Sequence, residues 1–194
     1  MIEPILRFDR SLFQLVNQAG HTNWLDALMP FLRNQYTWVP VYFFLLVFVS
    51  INFKQKTWWW ILFFLATFAL TDLISQQLVK QFFERPRPCI DPFTAQSARM
   101  LVPCSTGYGF VSTHATNHFG MAMFLFQTMK HFARPWIWLA FVWAFAVCYA
   151  QVYVGAHFPM DVTGGALLGI LLGWFSSSQY IKQFGGLKWA TNPA

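Results

Sequence analysis

The sequence predicts an all-α, polytopic membrane bundle of about five transmembrane helices, preceded by N-terminal interfacial helices. Of its 194 residues, 56% are hydrophobic and 10% are charged, whereas about a quarter of an ordinary soluble domain is charged. The apolar residues gather into runs of about twenty, the length a helix needs to cross a bilayer core about 30 Å thick. Cations outnumber acids 13 to 7, yet they form no basic block and lie mostly between the apolar runs. Membrane topology therefore explains the charge, and nucleic acid is not an expected partner. This composition excludes disorder and coiled coil. Three cysteines are too few for a disulfide scaffold but allow one pair.

Residues 1–36 hold two short helical patterns. In the first, Ile5, Phe8, Leu12, Leu15 and Val16 share a face, while Glu3 and Asp9 balance Arg7 and Arg10. The second, NWLDALMPFLRN, is too short to span, so both are read as interfacial or packed helices. No uninterrupted apolar stretch suggests a cleavable signal peptide. The first span runs from Thr37 to Phe53 and is closed by Lys54 and Lys56. The second runs from Trp58 to about Phe83, with a polar final third. Ser112 to Met129, Pro135 to Val152 and Pro159 to Tyr180 complete the set. Residues 1–194 read as one domain without internal repeats, with 57–180 as its functional bundle. Lys54, Lys56, Lys130, Arg134, Lys182 and Lys188 fall on one side with no acid beside them, which predicts a cytoplasmic face. The 84–111 segment and the 152–158 turn then face outward.

Ionisable groups at a membrane edge are costly, which makes them functional candidates. Lys80, Arg85 and Arg87 occupy one short stretch, stiffened by Pro86 and Pro88. A point charge and a bidentate fork suit a dianionic phosphate. Ser112 opens a helix whose first N–H groups favour anions, and His114 in that first turn can protonate a leaving oxygen. His157 and Asp161 lie four residues apart at the next helix start, where a carboxylate can hold one imidazole nitrogen and expose the other as a nucleophile. Taken singly, each is more often a snorkelling or structural group. The competing chemistry is zinc held by His114, His118, His157 and Asp161, although a cation sits poorly beside Lys80 and Arg87. Asp72, Gln76 and Lys80 share a helix face, where Asp72 reads as structural, as do Asn117 and His118. Gly165, Gly169 and Gly173 form a stripe suited to close helix packing.

These strings resemble the type 2 phosphatidic acid phosphatase family. Lys80 through Pro88 fits its Lys-x6-Arg-Pro motif. VSTH at 111–114 is similar to Pro-Ser-Gly-His, and AQVYVGAHFPMD at 150–161 is similar to Ser-Arg-x5-His-x3-Asp. The resemblance implies an integral-membrane lipid phosphatase that works through a phosphohistidine with neither metal nor cofactor. His157 would be the nucleophile, Asp161 its orienting group and His114 the general acid. Lys80, Arg87 and Ser112 would hold phosphate oxygens, with Thr113, Gln151 and Arg85 as further phosphate-binding candidates. Ala150 and Gln151 stand where the family has Ser-Arg, so one guanidinium is missing. The expected substrate is a phospholipid or isoprenoid-lipid phosphate: a carrier-lipid diphosphate, phosphatidylglycerol phosphate or a lipid A phosphate. The expected place is a bacterial inner membrane, with the site facing the periplasm. A lipid-to-lipid phosphotransferase, an anion transporter and a catalytically weakened binding protein are the alternatives. Cys89 and Cys104, both in the outward loop, are expected to form a disulfide there, with two free thiols as the alternative.

Overall fold

The computed structural model describes residues 2–53, 57–185 and 187, and among them it contains helices and no strand. Two short helices come first, α1 (Ile2–Gln14), which continues as a wide π turn through Ala19, and α2 (Asn23–Arg33). The Thr22 side chain caps α2 by accepting from Leu25 N–H, as hydroxyls do at helix starts. Four continuous helical segments are long and apolar enough to cross a membrane: α3 (Gln35–Asn52), α4 (Thr57–Phe83), Thr113–Tyr153, and Pro159–Phe184.

The third segment, at 41 residues, would measure roughly 60 Å as a straight helix, twice the bilayer core. It is instead a hairpin. Helix α5 (Thr113–Ala133) ends where Arg134 takes φ +36°, a 3₁₀ turn follows, and α6 (Leu139–Tyr153) returns. Phe126 meets Trp138, Phe119 meets Phe141 and His118 meets Trp143, at ring distances of 5.0, 6.2 and 4.9 Å. Position rises along one helix as it falls along the other, so the two are antiparallel. With α7 (Pro159–Phe184), the four segments make five crossings. Lys130, Arg134 and Lys182 sit at the end of the bundle opposite the starts of α5 and α7. Lys54, Lys56 and Lys188, also assigned to that face, lie outside the described residues.

Helices α5 and α7 form the tightest pair, and the glycine stripe is the reason. A Cβ on Gly165 would lie 2.6 Å from the Ser112 carbonyl oxygen, and Cβ atoms on Gly169 and Gly173 would strike the carbonyls of Thr116 and Gly120. Only hydrogen lets the backbones approach this closely. Away from the stripe the core is aromatic. Trp60 stacks on Phe64 at 5.2 Å and donates through Nε1 to Thr128 Oγ1 at 3.0 Å.

Helix α1 turns a mixed face into the protein. Ile5, Phe8 and Leu15 are exposed, while Asp9, Phe13 and Asn17, four residues apart, turn into the protein and are fully buried. Polar groups go inward when partners satisfy them. Asn17 meets that condition, donating to the carbonyls of Arg99 and Tyr153 and accepting from Arg99 N–H, each at 2.8 Å. In the 84–112 connection, Cys89 and Cys104 form a disulfide with Cα atoms 6.1 Å apart.

The α5–α7 contact predicts a specific sensitivity. Gly173→Ala pushes a methyl group onto backbone and should cost about 1–3 kcal/mol, read as a lower Tm of the detergent-solubilised protein. Gly107→Ala, with nothing within 4 Å of the added carbon, should leave Tm unchanged.

Candidate active site

Three helix ends meet at one end of the bundle. Helix α4 widens into a π turn over Ile74–Val79, a local irregularity common near functional sites. Asp72, Gln76 and Lys80 all line the same cavity. Asp72 accepts from Gln76 at 2.7 Å and from Asn117 at 3.1 Å. The α4 helix stops at Glu84, which takes a left-handed conformation with φ +46°, and the proline-rich stretch leads directly to Arg87. That guanidinium is fixed by backbone: Nε donates to the Gly107 carbonyl at 2.7 Å and Nη1 to the Ala156 carbonyl at 3.2 Å. Lys80 Nζ and Arg87 Nη2 have no protein acceptor among the described residues.

His157 precedes α7, its ring buried. Asp161 Oδ2 accepts the Phe158 N–H at 2.9 Å, closing the first turn of the helix, and lies 3.4 Å from His157 Nδ1. With the Asp161 carboxylate beside Nδ1, the ring proton sits there and the Nε2 lone pair faces Arg87. Nε2 lies 3.4 Å from Arg87 Nη1. Burial, aided by Arg87 and Lys80 and opposed by Asp161, lowers the His157 pKa to about 4. The ring is therefore neutral at physiological pH, as a nucleophile requires.

Asp161 is itself held. Arg85 donates to Asp161 Oδ1 at 2.6 Å and to Asp9 Oδ2 at 2.5 Å, with its guanidinium over the Phe158 ring. Asp9 also accepts the Met160 N–H at 2.8 Å. Burial raises the Asp9 pKa against the opposing pull of Arg85. Arg85, a phosphate-binding candidate by its place in the sequence, does not line the cavity, and two buried carboxylates occupy its fork.

Ser112 caps α5 through its hydroxyl, and its N–H donates to the Asp161 carbonyl at 2.9 Å. Its side chain is fully buried and outside the cavity, whereas Thr113 and His114 line it. Gln151 likewise does not line the cavity. It is fully buried, and its Oε1 accepts from Arg33 Nε at 3.2 Å. The His114 and His118 rings stand 6.4 Å apart, and His118 Nδ1 binds the His114 carbonyl at 2.8 Å. Among the described residues, no three His, Cys, Asp or Glu converge as metal ligands.

The resulting cavity, about 560 Å³, is amphiphilic. Arg33, Lys80, Arg87, Thr113, His114 and His157 form its polar end, while Val39, Tyr42 and Leu46 of α3 face Phe64, Leu65 and Phe68 of α4 along the apolar end. Such a space suits a charged headgroup joined to a hydrocarbon chain. Sequence reasoning missed Asp9 and Arg33. Both sit in the short N-terminal helices, far along the chain from the motifs they serve, and no spacing rule links them.

The junction at Arg85 carries a stability prediction. Arg85→Ala strands two buried carboxylates and should destabilise by about 3–5 kcal/mol, measured as a fall in Tm. Adding Asp9→Asn should recover part of that loss.

The PAP2 superfamily model matches residues 57–184. The chain is 30% identical to the lipid A 4′-phosphatase of Bacteroides thetaiotaomicron, an alignment covering 90% of this chain and 77% of that one. It is 31% identical to the undecaprenyl-diphosphatase of Sulfolobus acidocaldarius, with 90% and 79% covered. The crystal structure of Aquifex aeolicus LpxE is similar, with a TM-score of 0.64 at 31% identity over 87% of this chain and 93% of that one.

Proposed function

This chain belongs to the PAP2 superfamily, and on that footing we propose that, as a membrane lipid phosphatase, it hydrolyses a lipid-linked phosphate or diphosphate through a phosphohistidine on His157. The observation that carries the reading is one juxtaposition. A buried neutral imidazole presents Nε2 beside Arg87, at the charged end of a cavity whose other end is apolar and runs between α3 and α4.

The headgroup phosphate sits against Lys80, Arg87 and the Thr113 hydroxyl, fixed donors aimed at charge that grows as the phosphorus–oxygen bond breaks. Nε2 of His157 attacks phosphorus, and the bond to the leaving oxygen breaks. His114 gives that oxygen its proton. Asp161, hydrogen-bonded to Nδ1, steadies the positive charge that the phosphorylated ring acquires. Water then attacks the phosphorus while His114 takes up its proton, the phosphorus–nitrogen bond breaks to return its electron pair to His157 Nε2, and inorganic phosphate departs. Ser112 contributes by capping α5, which sets the position of Thr113 and His114. The polar groups cluster at one end of the bundle, whereas a transporter carries them at mid-membrane between repeated halves.

The names of the relatives make a lipid A phosphate and undecaprenyl diphosphate the leading substrates, with phosphatidylglycerol phosphate third. The protein resides in a bacterial inner membrane with the site facing the periplasm. Two independent features support that orientation: Lys130, Arg134 and Lys182 lie at the opposite end, and the Cys89–Cys104 disulfide on the site side suits an oxidising compartment.

Purified protein should release phosphate from at least one of these three lipids with chelator present, and His157→Ala should abolish release. Loss of activity with chelator and recovery with zinc would instead assign the chemistry to a metal. The pH profile gives a second test. Since only the neutral His157 ring attacks and only a protonated His114 can donate, kcat/KM should rise through an acid limb near 4, where His157 loses its proton, and fall again as His114 loses its own. An acid limb near 6.5 would mean that His157 is not buried as described.

A further inference from the structure

The third motif lacks its guanidinium at Gln151, yet the cavity contains one more cation than the motifs supply. Arg33 is the last residue of α2, a helix with no part in any of the motifs, and it lines the cavity with Lys80, Arg87, His114 and His157. We propose that Arg33 is a phosphate-binding residue, held over the cavity by the Gln151 side chain and supplying the guanidinium that position 151 does not. The inference rests on the phosphatase reading above and adds a residue to it.

The hydrogen bonding divides the guanidinium in a useful way. Nε is spent on Gln151 Oε1 at 3.2 Å. Nη1 and Nη2 have neither an acceptor nor a carboxylate within ion-pair distance among the described residues. An arginine that served only the C-terminal dipole of α2 would extend into solvent, whereas this one is half-buried against the cavity. Burial lowers its pKa, and burial together with Arg33 lowers that of Arg87 against the opposing effect of Asp161. Three cations thus face one space, and their mutual repulsion is relieved by an anion of two or more charges.

The helix carrying Arg33 is fixed at both ends. Asp26 accepts from Tyr153 Oη at 2.6 Å and is ion-paired with Arg99. Trp38 Nε1 donates to the Leu32 carbonyl at 2.8 Å, and Met29 packs with Ala150, Tyr153 and Val154. The same C-terminal stretch of α6 therefore seats α2 and, through Gln151, aims Arg33. The buried Gln151 Nε2 has no partner among the described residues, so Gln151 is a positioning residue that orients one group by its oxygen.

The test compares wild type with Arg33→Ala, Arg33→Lys, Gln151→Ala and the double variant Arg33→Ala/Gln151→Arg. It reads kcat/KM on the best lipid phosphate and, independently of turnover, the concentration of inorganic phosphate that gives half the maximal thermal shift. Arg33→Ala should lower kcat/KM and weaken phosphate binding, each about 10- to 100-fold, as for loss of a charged hydrogen-bonding group. Gln151→Ala should lose less. Arg33→Lys should recover part of the loss, and the double variant most of it, because a guanidinium at 151 returns charge to the same space. Arg33→Ala within twofold of wild type in both readouts overturns the proposal. So does a loss that neither Arg33→Lys nor the double variant relieves, which marks a purely structural role. If Arg33→Ala does not fold, Arg33→Gln is judged by the same criteria. A wild-type protein that hydrolyses none of the lipids overturns the phosphatase reading, while the phosphate titration still decides whether Arg33 binds the anion.

Discussion

The Asp161 carboxylate is the constraint on which the site depends. Its two oxygens serve three groups: the Phe158 N–H that starts α7, the His157 ring, and Arg85. Buried without such partners, a carboxylate would take up a proton. It would then lose both its hold on the histidine tautomer and its pairing with Arg85. Arg85 passes the constraint on to Asp9, whose other oxygen accepts the Met160 N–H. An N-terminal helix that carries no motif is thereby built into the support of His157.

Close helix packing turns this local arrangement into a site. His114 opens α5, His157 and Asp161 open α7, and the two helix starts are joined by the Ser112 N–H on the Asp161 carbonyl. Gly165, Gly169 and Gly173 keep the two backbones near contact along the helices below. In lipid, where burial of apolar area gives no advantage between helices, contact of this kind is a main source of specificity. The glycine stripe therefore sets the distance between the two histidines as much as it stabilises the bundle.

The cavity joins two environments that a membrane enzyme must bridge. Its cations lie at the end of the bundle, where water can supply the second step of hydrolysis, and its apolar walls follow α3 and α4 toward the region a hydrocarbon tail occupies. Few residues of helix α3 are fully buried, so that wall of the groove lies at the surface of the bundle. On the proposed reading, fixed charge places the headgroup and the apolar groove takes the tail.

The sequence by itself determined the class, the number of crossings and the motif residues, because each leaves a local mark. Apolar runs have the length of a bilayer, and Lys80, Arg87, His114, His157 and Asp161 recur at spacings fixed by helix starts and ends. Tertiary structure decided which of those residues reach the cavity. Arg85 and Ser112 have the right chemistry, yet Arg85 is taken by two carboxylates and Ser112 by a helix cap. Asp9 turned inward because Arg85 and the Met160 N–H satisfy its carboxylate there. Arg33 was invisible in the chain because its partner is 118 residues away. Folding alone brings together side chains so distant in sequence, since periodicity and motif spacing report only on neighbours along one helix or turn.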